Sequence, residues 1–342
     1  MRKLLNTLYV TTEDAYLSLD GENIVVNIDD NRRSFPLHML ESIVCFSYKG
    51  ASPALMGKCA SKEIQLSFFT PYGKYLASSW SDTNGNVLLR REQYRLADQE
   101  KKALAIAKAF ICGKIYNTKY FLKKFLRDYE SRINVERMDL AVEIISKDLL
   151  QVSTAKSIAE LRGIEGDAAR EYFNVFNDLI LQNKRDFHFY GRSRRPPVDA
   201  VNALLSFAYS LLANDYTAAL HSVGLDPYVG FLHKDRAGRC SLALDLMEEL
   251  RSVYADRFVL TLINNRIFHI NDFIEQENGA VLLKDKARKQ FLSEWQNKKR
   301  VAIVHPFLEE KITWGLVPYT QALLLARFVR GDIDNYPPFF WK

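Results

Sequence analysis

A chain of 342 residues is long enough for two domains, each with its own hydrophobic core. Its formal net charge of +6 permits nucleic acid or acidic surfaces as partners without requiring either. Its four cysteines are scattered, and it has no apolar run of about 18 residues, so a disulfide framework, a zinc site and a membrane-spanning helix are all disfavoured. We expect a soluble cytoplasmic protein with no membrane partner.

The first 90 residues alternate short β-branched or aromatic runs with turn signals such as Asp-Gly and Asn-Gly, a pattern typical of strands. The predicted strands are 7–11, 15–19, 23–28, 43–46 and 64–69, with a short helix over 52–60. The sequence therefore predicts a sheet-dominated N-terminal domain whose boundary lies within 84–91, where turn residues give way to a helix start.

From Glu92 onward the apolar residues recur with helical periodicity and few breakers. The main predicted helices are 92–117, 118–130, 201–221, 242–254, 256–265, 282–296 and 319–330. The second region is therefore expected to be almost entirely helical.

The segment 230–251 carries the side chains with the clearest chemical meaning. His233 follows an apolar approach, and Asp245 and Glu248 are helix-surface neighbours three residues apart. An imidazole that converges with carboxylates favours Mg²⁺ or Mn²⁺. Taken alone, such acids more often form a solvated helix face than a metal site. The helical periodicity also does not distinguish Glu248 from Glu249 as the acid that would join Asp245.

Basic residues suggest contacts to phosphate groups in two places. No acid appears between Glu100 and Asp128, although lysines recur there. A second cluster stands just before two prolines, and a basic pair at 90–91 precedes the predicted helix 92–117. The candidate DNA contacts are Arg192, Arg194 and Arg195, with Arg90 and Arg91 as weaker candidates. A solubilising surface is the alternative explanation.

Three segments in register resemble one family. They are Leu-Arg-Gly-Ile-Glu-Gly at 161–166, the stretch 191–205 that holds the arginine cluster, and 230–249. Their order and distances are similar to those of the CRISPR-associated spacer-acquisition integrase, the universal endonuclease of that immune system. The segments 86–94 and 331–339 resemble its subtype I-C branch.

This resemblance implies an α+β protein with a β-sandwich-like domain over 1–90, which serves dimerisation and partner contacts. An all-α catalytic domain over 91–330 and a tail over 331–342 would follow. The resemblance also implies an Mg²⁺ or Mn²⁺ site formed by Glu165, His233 and Glu248. Asp245 is a second candidate ligand or a supporting acid.

The implied reaction inserts short foreign DNA fragments into a CRISPR array, as the 3′-hydroxyl of a fragment attacks a phosphodiester at the repeat. The implied partners are double-stranded DNA (the fragment and the repeat), a second copy of the chain and a small ferredoxin-like adaptation protein. Two alternatives stay open. One is a stand-alone metal-dependent DNA repair nuclease that acts on branched DNA, and the other is a non-catalytic DNA-binding scaffold.

The C-terminal residues Phe339, Phe340 and Trp341 follow two prolines, which stop the preceding helix. Three exposed aromatic side chains would be a natural anchor on another protein. The alternative is that the tail folds back on its own domain.

Overall fold

The computed structural model of the chain describes residues 6–12, 14–62, 64–70, 75–79, 87–193 and 196–342. The chain packs as two compact units. The first unit comprises Met1–Gly85, Leu283–Ala302 and Thr313–Leu316, and the second comprises Asn86–Leu282, Ile303–Ile312 and Val317–Lys342.

The first unit contains a mixed four-stranded sheet and an antiparallel three-stranded sheet. The strands are β1 (Thr7–Val10), β2 (Tyr16–Asp20), β3 (Asn23–Ile28), β4 (Asn31–Pro36), β5 (Ser42–Cys45), β6 (Gln65–Phe69) and β7 (Tyr75–Ser79). The larger sheet has the order β1-β5-β6-β7, in which β5 lies parallel to both neighbours and β7 runs antiparallel to β6. The smaller sheet has the order β2-β3-β4.

Both sheets and helix α1 (Pro53–Ser61) share one hydrophobic core. Leu17 and Ile24 of the small sheet, Ile43 and Leu66 of the large sheet, and Leu55 of α1 are all fully buried in it. Helix α1 begins where Ser52 accepts a hydrogen bond from the Leu55 amide and proline occupies the first helical position. The five strands and the short helix expected from the sequence are present.

The remaining α-helices lie after the N-terminal strands, and the first of them begins at Val87. They are α2 (Val87–Asp98), α3 (Glu100–Tyr129), α4 (Val135–Gln151), α5 (Ile158–Val175), α6 (Ala200–Ser222), α7 (Ser241–Met247), α8 (Arg257–Asn264), α9 (Asp285–Arg300) and α10 (Val317–Arg330). Helix α3 packs against α4, α5 and the segment that follows α7, so it lies at the centre of the second unit. Helix α9 belongs to the first unit. Of the helices described, none combines the length and apolar character that a membrane crossing requires.

The expectation that 91–330 is all-α was wrong in detail. Four three-residue strands interrupt the helices: β8 (Phe273–Glu275), β9 (Val281–Leu283), β10 (Ala302–Val304) and β11 (Lys311–Thr313). They form two hairpins, β8-β9 and β10-β11. Strands this short carry too few residues for a two-residue hydrophobic period to stand out, so no hydrophobic pattern indicates them.

The expected helix over 242–254 is helical but changes type twice. After α7 the backbone forms a 3₁₀-helix over Glu248–Leu250 and then a π-helix over Arg251–Asp256, before α8 begins. π-Helices are rare and are frequently found at functional sites. The side chains from Glu248 to Asp256 therefore do not follow the regular α-helical angle of 100° per residue.

The C-terminal tail folds back on the second unit. Phe339 is fully buried. The side chain of Asn117 on α3 makes two hydrogen bonds to the tail backbone. Its amide nitrogen donates to the Phe339 carbonyl at 2.7 Å, and its oxygen accepts from the Trp341 amide at 2.7 Å. Gly113 leaves room for the tail, because a Cβ atom there would lie 3.2 Å from Pro338. Phe340 and Trp341 remain partly exposed.

Candidate active site

Two acids from separate helical segments meet at one lysine. Glu165 lies on α5, Glu248 begins the 3₁₀-helix after α7, and Lys114 of α3 reaches both. The Lys114 ammonium forms an ion pair with Glu165 and lies 2.6 Å from Glu248 Oε2. The Glu165 side chain is 26 % exposed, whereas that of Glu248 is only 9 % exposed. One end of this acid pair is therefore open to solvent and the other is buried.

Two cations keep the buried Glu248 ionised. Arg251 donates to both of its carboxylate oxygens, at 2.9 and 3.0 Å. Burial alone would raise the pKa of Glu248, but Arg251 and Lys114, with a smaller contribution from His233, outweigh it and lower that pKa to about 2. Glu248 is therefore a carboxylate at neutral pH, and His233 is close enough to influence its charge.

His233 is held by the fully buried Asp245. The ring Nδ1 of His233 lies 2.6 Å from Asp245 Oδ1. The backbone amides of Phe231, Leu232 and His233 also donate to this carboxylate, at 2.7, 2.9 and 3.0 Å. Asp245 thus closes the loop before His233 and fixes the ring, which leaves Nε2 as the nitrogen that can face a ligand.

Two further residues shape this loop. Arg162, one turn before Glu165 on α5, donates to the Leu232 carbonyl. Gly230 lets the loop lie against α7, because a Cβ atom there would stand 2.8 Å from Asp245 Oδ2 and 3.0 Å from Ser241. The Gly-Phe-Leu-His motif is therefore a loop whose glycine is required by close approach.

Glu249 points away from this centre. Its Oε2 accepts from the Gln321 side chain at 2.9 Å and from the Phe339 amide at 3.1 Å. Burial raises its pKa to about 8, although these donors and Tyr336 act in the opposite direction. Glu249 belongs to the contact with the C-terminal tail, and Glu248 is the acid that joins Glu165.

The candidate DNA contacts lie in different settings. Arg192 is partly buried and donates to Asn202 Oδ1 at 2.7 Å and to Ser206 Oγ at 3.1 Å. Arg194 and Arg195 lie outside the residues that the structure describes. Arg90 and Arg91 are on α2, where Arg91 is exposed and Arg90 is partly buried.

Comparison with known proteins identifies the family. The sequence model described as "CRISPR associated protein Cas1" matches residues 8–297. A CRISPR-associated endonuclease Cas1 from Chlorobaculum tepidum is 47 % identical over 343 residues and covers 100 % of both chains. One from Rhodospirillum rubrum is 49 % identical over 350 residues, again with 100 % of both chains covered. The chain belongs to the Cas1 family.

Solved structures show that the fold is also that of Cas1. A Cas1 protein from Thermotoga maritima superposes with a TM-score of 0.81 at 23 % identity, and covers 95 % of this chain and 97 % of its own. A casposase bound to its integration product superposes with a TM-score of 0.84 at 24 % identity, with 98 % and 94 % covered. At this level of identity the likeness establishes the mixed α+β fold alone.

The donor set of this Cas1 chain suits a hard divalent cation. Glu165 and Glu248 supply carboxylate oxygens and His233 supplies an imidazole nitrogen, which are ligands that Mg²⁺ and Mn²⁺ accept. Within the described part of the chain no three His, Cys, Asp or Glu side chains form a ready metal cluster. The position between the two carboxylates is filled by the Lys114 ammonium, itself a cation, so the acids are already arranged around a positive charge.

The sequence patterns missed two members of this centre. Lys114 stands in a helix with many lysines, and only the fold shows that it alone is aimed at the acids. Arg251 follows Glu248 by three residues, a spacing that could have suggested an ion pair on a helix.

Proposed function

We propose that this chain is a metal-dependent DNA endonuclease and integrase that inserts short foreign fragments into a CRISPR array in the cytoplasm. The observation that carries the proposal is the convergence of Glu165 and Glu248 on one cation beside an oriented His233, in a chain of the Cas1 family. We assign the chain to the subtype I-C branch on the motifs at 86–94 and 331–339.

In this proposal Glu165, Glu248 and the Nε2 atom of His233 hold Mg²⁺ or Mn²⁺. When bound, the ion polarises the scissile phosphate and stabilises the charge that develops on its oxygens. Asp245 acts through His233, because it fixes the ring and its tautomer and is itself occupied by backbone amides. Arg251 keeps Glu248 charged and in place.

The bond that breaks is a phosphodiester of the repeat, and the bond that forms joins its phosphorus to the 3′-hydroxyl oxygen of the fragment. The 3′-oxygen of the repeat leaves, so the number of phosphodiester bonds does not change. Water in place of the 3′-hydroxyl would give cleavage instead. The partly exposed Glu165 lies at the open end of the site, where the DNA would enter.

Binding of double-stranded DNA would be mainly electrostatic. The proposed phosphate contacts are Arg192, Arg194 and Arg195, with Arg90 and Arg91 as weaker ones. The basic helix α3 supports this view, since it carries no acid from Lys101 to Arg127. Replacing such cations should weaken binding to all sequences alike and reduce its salt dependence.

We further propose that the chain forms a homodimer and assembles with a small ferredoxin-like adaptation protein. A related solved assembly is described as a Cas6-RT-Cas1–Cas2 complex; it superposes with a TM-score of 0.83 at 24 % identity, and covers 100 % of this chain and 36 % of that one. The N-terminal domain would supply the contacts, because pairing removes the exposed edges of its sheets.

Strand transfer tests the proposal. Purified protein is incubated with a short duplex and a supercoiled repeat plasmid, with and without the candidate partner, in Mg²⁺ and in Mn²⁺. Replacement of Glu165, His233 or Glu248 by alanine should abolish joining, whereas Asp167→Ala, an exposed acid on the same helix as Glu165, should not. Full joining by His233→Ala would refute the site.

The same assay separates the alternatives. Partner-independent cleavage of branched DNA without joining would indicate a repair nuclease. DNA binding that is independent of metal and of Glu165, with no cleavage in Mn²⁺, would indicate a scaffold.

A further inference from the structure

Tyr209 of α6 lies between two arginines. The guanidinium carbon of Arg251 is 4.5 Å from the centre of its ring, and that of Arg192 is 5.2 Å away. Both distances are within the range of a cation–π interaction. One aromatic ring thus contacts the arginine that holds Glu248 and the arginine that is a candidate phosphate contact.

The orientation of this ring is fixed by a buried acid. The Tyr209 hydroxyl donates to Asp256 Oδ1 at 2.5 Å, and the Tyr172 hydroxyl donates to Asp256 Oδ2 at 3.0 Å. Asp256 is only 1 % exposed. Because each oxygen of Asp256 receives one tyrosine hydroxyl, the acid holds Tyr209 in a single orientation without contacting Glu165 or Glu248 itself.

The π-helix brings these groups together. Arg251 and Asp256 are its first and last residues. Hydrogen bonds in a π-helix run from residue i to residue i+5, so residues five apart lie about one turn apart, whereas in an α-helix they would be about 140° apart around the axis. Arg251 and Asp256 can therefore hold the same tyrosine from the same segment.

We propose that Tyr209 and Asp256 are positioning residues for Glu248, which act through Arg251. The ring limits the orientations of the Arg251 guanidinium to one in which it bonds both oxygens of Glu248. Asp256 keeps the ring there. Because the ring also contacts Arg192, one side chain contacts both a candidate DNA contact and the arginine that holds Glu248. The expected effect on strand transfer rests on the proposed function. The expected effect on the order of the Arg251 side chain does not.

Three variants distinguish the effect of the Tyr209–Asp256 hydrogen bond, the effect of the Tyr209 ring and a general effect of changing a buried tyrosine. Tyr209→Phe keeps the ring and removes the bond to Asp256, and Tyr209→Leu removes the ring. Tyr216→Phe is the matched control, because Tyr216 is another fully buried tyrosine of α6 and takes no part in the contacts described above. All three are compared well below their melting temperatures.

The first measurement is steady-state strand transfer. Groups that orient a metal ligand typically contribute 10–100-fold to activity, so Tyr209→Leu should lower kcat by about 10–100-fold and also raise the KM for DNA through Arg192. Tyr209→Phe should lower kcat by a few fold with KM unchanged, and Tyr216→Phe should leave both unchanged. If Tyr209 had a purely structural role, the variants would melt at lower temperature but would not show these different effects on kcat and KM.

The second measurement needs no activity. Arginine-selective ¹⁵N labelling follows the Nε–H signal of Arg251, which is assigned by its loss in Arg251→Lys. The signal should be sharp and slow to exchange in the wild type and in Tyr216→Phe, and broadened in Tyr209→Leu. An unchanged Arg251 signal in Tyr209→Leu overturns the inference. If the wild type neither joins nor cleaves DNA, the proposed function fails, and this signal still decides the geometric inference.

Discussion

Replacing Phe339 with alanine should strongly destabilise the second unit. This side chain is fully buried and contacts His305 edge-to-face, with ring centres 5.4 Å apart. It also lies between the two backbone groups that Asn117 binds. The truncation therefore leaves a cavity beneath a segment that is otherwise held by hydrogen bonds.

The size of the effect follows from the burial. Phe→Ala at a fully buried site costs about 3–5 kcal/mol. A domain of 150–250 residues shifts by about 2–4 °C for each kcal/mol, so the melting temperature should fall by about 6–20 °C. The neighbouring Phe340 is only partly buried, and its truncation should cost about 1 kcal/mol.

Differential scanning calorimetry of Phe339→Ala and Phe340→Ala measures both shifts under one condition. The ratio of the two melting-temperature shifts is more informative than either shift alone, because both variants remove the same atoms from adjacent positions. Deletion of 332–342 should be at least as destabilising as Phe339→Ala. If Phe339→Ala melted no lower than Phe340→Ala, the tail would not be packed as described, and an anchor on another protein would be the better account.

Three further predictions concern buried polar groups and one glycine. The pKa of Glu249 rises from 4.5 to about 8 on folding, so its contribution to the free energy of unfolding should fall as pH rises between these values. The difference in free energy of unfolding between the wild type and Glu249→Gln, from urea titrations at pH 5 and pH 8.5, should therefore be more favourable to the wild type at pH 5 than at pH 8.5. Gly230→Ala should cost about 1–3 kcal/mol through its clash with Asp245. Gly57→Ala, in the interior of α1 with open space around it, should instead stabilise by up to about 1 kcal/mol and raise the melting temperature slightly, because alanine is the better helix former. Asp245→Ala should lower both the melting temperature and strand transfer, because four hydrogen bonds to the loop are lost, whereas Glu165→Ala should lower strand transfer alone; equal melting losses would contradict this division of roles.

The sequence predicted the β-rich start and the long helices because their patterns are long or regular. Strands such as Asn23–Ile28 and helices such as Ala200–Ser222 each carry enough apolar residues for a clear hydrophobic pattern. The motifs around Glu165, His233 and Glu248 were recognisable because their order resembles that of a family. The proximity of Glu165 and Glu248 through Lys114 depends on how α3 packs against α5 and the segment that follows α7, which no local pattern encodes.

The choice between Glu248 and Glu249 shows where helical geometry fails. On a regular α-helix, with 100° per residue, Glu249 lies about 40° from Asp245 and Glu248 about 60° from it, so the two acids are equivalent candidates. The structure separates them because the α-helix ends at Met247 and a 3₁₀-helix begins at Glu248. That tighter turn directs Glu248 to Lys114 and Glu249 to Gln321 and the tail.

The same departure from α-helical geometry explains why Asp256 could not be found from the sequence. At five residues after Arg251 it would lie on a different face of an α-helix, and a buried acid there would be an unexplained cost. In the π-helix it accepts hydrogen bonds from Tyr172 and Tyr209, so its burial is compensated by two donors. The π-helix Arg251–Asp256 replaces regular α-helical hydrogen bonds with less favourable ones. In return, it lets Asp256 hold Tyr209 against Arg251, the arginine that keeps Glu248 charged.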